Sequence, residues 1–86
     1  IGGAKVLSAS VTSYVPEGTI GMRLGEIQDD FPDADIGSYP FWNDSKPGTN
    51  LIVRHTNPDI VNAVCDKIVL MIRDLGGVPV DDNRPG

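Results

Sequence analysis

The sequence predicts one small α+β domain of order β-α-β-β-α. It forms two layers, a three-stranded mixed sheet with two helices on one face, in a truncated ferredoxin-like arrangement. Three observations predict it: a period-two run over 6–15, two apolar stripes at helical spacing, and a turn-dense segment between two strand-like runs. At 86 residues and 40% hydrophobic content the chain holds a single core. A domain of that size buries roughly 60–65% of the surface that its unfolded chain exposes.

Each element has its own signal. Leu7, Ala9, Val11 and Val15 point one way and Ser8, Ser10, Thr12 and Tyr14 the other, as in a half-buried strand. Pro16 ends it and suits the first turn of a helix. Over 17–31, Ile20, Leu24, Ile27 and Phe31 fall on one helical face, weakened by Gly18, Gly21 and Gly25 and stopped by Pro32. A second strand over 34–41 contains Pro40, which implies an edge position, a bulge or an early end to pairing. Residues 43–48 (Asn-Asp-Ser-Lys-Pro-Gly) predict a hairpin loop. The third strand, 49–56, has Leu51 and Val53 on one face and Ile52 on the other, which places it inside the sheet. Asn57, Pro58 and Asp59 then cap a helix with a wide stripe from Ile60 to Leu75, and Gly76-Gly77 supplies a left-handed stop. Residues 1–80 form the domain, and 81–86 (Asp-Asp-Asn-Arg-Pro-Gly) a solvated tail or linker. The first and second strands, joined by a helical crossover, should be parallel. The chain starts at Ile1 rather than Met, so it reads as a piece of a longer protein.

Charge and composition narrow the partners. Seven Lys and Arg residues are scattered among twelve acidic ones, giving a net charge of −5. Nucleic-acid binders draw most of their affinity from phosphate neutralisation, so nucleic acid is not the expected partner. No apolar run approaches the length of a membrane span. One cysteine and one histidine build neither a disulfide nor a zinc site, which fits a cytoplasmic protein. No metal and no cofactor is expected in this fragment.

Few residues carry chemistry. His55 sits at a strand end with no nucleophile or orienting carboxylate in the pattern, so no catalytic residue is assigned. Cys65 lies mid-helix near the apolar stripe and reads as a small hydrophobe. Asp29, Asp30, Asp33 and Asp35 match no calcium-loop spacing and read as a solvated turn. Gly18-Thr19-Ile20-Gly21 spells the G-x-x-G of nucleic-acid-binding KH loops, with Arg23 the nearby cation. Gly18, Thr19, Gly21 and Arg23 are therefore a candidate ligand or nucleic-acid loop.

Three stretches carry a family resemblance. Pro16-Glu17-Gly18 opens the first helix, and Phe31-Pro32-Asp33 leads to Ile36-Gly37-Ser38-Tyr39-Pro40-Phe41. Gly48-Thr49-Asn50-Leu51-Ile52-Val53-Arg54 follows. From about Val6 to Gly77 the chain resembles the small KH-like domain of bacterial CinA-family proteins, the competence/damage-inducible, molybdopterin-binding type. The resemblance implies a MoaB/MogA-like domain in the same parent chain as partner, and a parent that cleaves nucleotide pyrophosphates. It carries no catalytic residue onto this fragment.

The function expected is thus a non-catalytic accessory domain of a CinA-like protein, one that packs on the neighbouring domain or dimerises it into a homodimer. Tyr39, Pro40, Phe41 and Trp42 crowd beside one hairpin and are the candidate interaction surface, since exposed aromatics are enriched in interface cores. Tyr39 and Phe41 should lie on the sheet face opposite the helices. The alternatives are a KH-like module for single-stranded RNA and, last, a small stand-alone hydrolase.

Overall fold

Residues 5–85 are described by a computed structural model. Six elements follow in order: β1 (Leu7–Ser13), α1 (Glu17–Asp30), β2 (Asp35–Asn43), β3 (Lys46–His55), α2 (Pro58–Asp74) and β4 (Asp81–Asn83). The result is an α+β domain whose two helices pack on one face of the sheet. The sheet has four strands where three are expected, in the order β2-β3-β1-β4.

β1 and β2 run the same way, as their crossover requires, but β3 lies between them. Every pairing is therefore antiparallel, and the expected mixed sheet is corrected on this point. β4 forms where the sequence suggests a solvated tail. It is three polar residues long, too short for any period to show, and it pairs Ser10–Thr12 of β1.

The core lies between sheet and helices. Ala9 and Val11 of β1, Leu51 and Val53 of β3, Ile20 and Ile27 of α1 and six residues of α2 from Val61 to Ile72 are buried. Asn57 caps α2 through its Oδ1, which accepts from the Asp59 N–H at 2.9 Å, and Gly76 leaves the helix at φ 86°. At the end of β1 the Thr49 hydroxyl donates to the Val15 carbonyl at 2.9 Å, so a buried polar group is satisfied where the strand turns away.

The hairpin is tighter and longer than the sequence suggests. Its turn is only Asp44-Ser45, with φ 51° and 66°, which is the two-residue primed class that matches strand twist. In an antiparallel ladder hydrogen-bonded and non-hydrogen-bonded pairs alternate. Counted from the turn-closing pair Asn43–Lys46, Trp42–Pro47 and Pro40–Thr49 are non-hydrogen-bonded, so neither proline is asked for an N–H by its partner. The phase agrees at the other side of the sheet, where the Thr12 carbonyl faces away from β3 and accepts from Val80 N–H at 2.8 Å. Pro40 then interrupts the donors on the open edge of β2, which protects that edge from strand addition. Pro47 faces the place where β1 would continue, and β1 has already ended at Ser13.

Candidate interaction site

Because β1 stops at Ser13 opposite Thr49, the hairpin from Phe41 to Gly48 runs on without a third strand. Strand alternation sorts its side chains. Ile36, Ser38, Pro40 and Trp42 share the helix side with Val53, Leu51, Thr49 and Pro47, while Gly37, Tyr39 and Phe41 lie on the open face. The four aromatic-rich positions singled out from sequence therefore do not form one patch. They divide into two, one on each side of the same strand.

On the open face the rings lie over glycines. Ring atoms of Tyr39 sit 2.9 Å from where a Gly37 side chain would begin, and the Phe41 ring occupies the space above Gly48. Tyr14 meets Phe41 edge-on, with centroids 5.7 Å apart and planes at 70°. Its hydroxyl accepts from Asn43 Nδ2 at 2.9 Å. Phe41 is thus half-buried by local packing, whereas Tyr39 stays exposed. On the helix side Trp42 is 73% exposed across from Pro47, beyond the reach of the core. Sequence reading passed over Tyr14. Its link to Phe41 depends on where β1 ends relative to the hairpin, which no local pattern encodes.

Tyr14 also borders an open groove of about 480 Å³ at the same end of the molecule, between the start of α1 and the segment after α2. Val15, Pro16, Thr19, Leu75 and Val80 are among its walls. The groove offers apolar contact, with few polar groups to fix a small molecule in one orientation.

The second set of candidates does not converge. Gly18, Thr19, Gly21 and Arg23 all lie within α1, whereas a G-x-x-G clamp is a loop joining two helices. Side chains added at Gly18 or Gly21 would meet nothing within 4 Å. Arg23 pairs with Asp74 of α2 at 3.0 Å and is turned along the helix pair. His55 is occupied as well, its Nδ1 accepting from Asn57 N–H at 2.9 Å in the turn that leads to α2. Among the described residues no group of three or more His, Cys, Asp or Glu side chains is placed to hold a metal ion.

One ionic cluster lies away from the hairpin. Arg84 forks onto Asp82, with Nε donating to Oδ1 at 2.8 Å and Nη2 to Oδ2 at 3.0 Å, and its Nη1 donates to Asp66 at 2.7 Å. The hydrogen bonds to Asp82 and then Asp66 hold the guanidinium further above its ordinary range. Burial pushes the nearby Cys65 thiol up, and Arg84 opposes that shift.

Against this geometry, the comparison with known families is decisive. Residues 5–80 match the family described as FAD synthase, middle domain. The chain belongs to that family. No curated protein and no solved structure matches it.

Membership in the FAD synthase middle-domain family overturns the CinA-type resemblance, with its KH-like label, its MoaB/MogA-like neighbour and its molybdopterin- or nucleotide-binding accessory role. It also leaves the pyrophosphate-cleaving parent without support. The structure shows why Gly37-Ser38-Tyr39-Pro40-Phe41 misleads. Gly37 makes room for the Tyr39 ring, Ser38 donates to Glu17 at the start of α1 (3.1 Å), and Pro40 guards an edge. These residues thus have local structural roles in the hairpin and its packing on α1.

Proposed function

We propose that the chain is a non-catalytic docking domain within an FAD synthase-type protein, and that the overhanging β2–β3 hairpin is its contact with an adjoining domain. The observation that carries this reading is the hairpin beyond Ser13, which presents Trp42 to solvent on a two-strand support. A large aromatic on a rigid element is the type of residue that anchors interfaces. The family description supports the placement, since a middle domain of FAD synthase has neighbours in its chain.

The finer fold reading is ferredoxin-like. The order β-α-β-β-α-β and the strand sequence β2-β3-β1-β4 support it, with β4 reduced to three residues. On this reading the flavin and nucleotide sites lie outside the domain. Titrating the chain with FMN, FAD and ATP while following Trp42 fluorescence and amide shifts tests it. The spectra should stay unchanged, and saturable binding of any of the three would overturn the reading.

A further inference from the structure

We propose that β4 is a strap latched by Arg84, and that its opening uncovers Cys65 without unfolding the domain. The strap is held almost entirely by polar contacts. Val78 and Val80, which lead into it, are exposed, and so are all three residues of β4. What attaches it is the Val80 N–H to the Thr12 carbonyl, the three-residue pairing with β1, and the side chain of Arg84.

Arg84 is the part that ties the strap to the helix layer. Its side chain is 22% exposed, although both carboxylates that it binds are more accessible. One end grips Asp82 within the strap. The other reaches Asp66 and, at 3.4 Å, the Asn62 carbonyl of α2. It therefore lies across the helical turn that carries Cys65, which is completely buried. Arg84, Asp82 and Asp66 are all close enough to act electrostatically on the thiol. Segments that bury little apolar surface and rely on solvent-accessible polar bonds open far more often than the core beside them. Here one side chain joins a weakly attached strap to the helical turn that carries a buried thiol.

Cys65 is the sole cysteine of the sequence, so its reaction with a disulfide reagent such as DTNB reads the opening directly. In the 86-residue chain, the labelling rate should be nearly flat at low denaturant, because strap opening exposes little new surface. Arg84→Gln should label at least about tenfold faster, as expected for loss of charge-assisted hydrogen bonds, while the global unfolding midpoint changes little. Asp66→Asn, a milder change, should give an intermediate acceleration and serves if Arg84→Gln folds poorly. Labelling that follows the full global denaturant slope, or rates unchanged in both variants, would overturn the strap.

Discussion

Tyr14 meets Phe41 edge-on at 5.7 Å at the point where β1 leaves the sheet and the hairpin continues without it. The pair braces the base of the overhang from the open face. An edge-to-face pair adds about 0.5–1.5 kcal/mol beyond the area that it buries. Tyr14→Ala should therefore lower stability by roughly 1–2 kcal/mol, read from the urea midpoint. Tyr14→Phe keeps the ring and removes only the bond from Asn43, and should cost no more than about 1 kcal/mol.

The glycines separate by what surrounds them. A methyl group at Gly48 would collide with the Phe41 ring and also lie 2.8 Å from the Ser13 carbonyl, which belongs to the backbone and has little freedom to move. Gly48→Ala should cost about 1–3 kcal/mol, the usual range for overpacking. At Gly37 the three nearest atoms all belong to the exposed ring of Tyr39, so Gly37→Ala should cost less and displace that ring. Chemical shifts of Tyr39 check the second point.

Gly21 lies in the opposite situation, on the solvent side of α1 with open space about it. Gly21→Ala should raise stability by about 0.5–1 kcal/mol through helix propensity alone. The measurement is again the denaturant midpoint, which should move upward for this variant and downward for Gly48→Ala.

Cys65 sets a pH dependence of known sign. Burial raises its thiol above the ordinary value of 9.0. The folded state therefore holds the proton longer than the unfolded chain does. Its contribution is fully present below the unfolded value and is lost as pH rises through the folded one. The stability difference between the wild-type chain and Cys65→Ala should be constant below about pH 8 and shift against the wild type above pH 9. A difference independent of pH up to 11, roughly two units above an ordinary thiol, would contradict a buried, protonated Cys65.

Much of this fold was legible in the sequence because its signals are local. The Asn57 cap, the α2 stripe and the left-handed Gly76 are all where local chemistry puts them, and of the readings that Pro40 leaves open the structure shows the edge strand. What escaped depends on distant residues. β4 is three polar residues held by pairing to β1 and by Arg84, and neither feature leaves a periodic trace. The turn looked six residues long because Pro47 and Gly48 are turn-formers by type, yet both belong to a strand. The division of Tyr39 and Phe41 from Pro40 and Trp42 follows from strand alternation and was partly visible. Tyr14's place beside them was not, since it rests on the register between β1 and β3.

The overhanging hairpin is proposed to dock on an adjoining domain of an FAD synthase-type protein. Amide hydrogen exchange over residues 39–48, compared between the isolated chain and an FAD synthase-type protein that carries this domain beside its neighbours, tests this most directly. Marked slowing is expected at Trp42 and its neighbours in the larger protein, while α2, already protected, changes little. Equal exchange of the hairpin in both would contradict it.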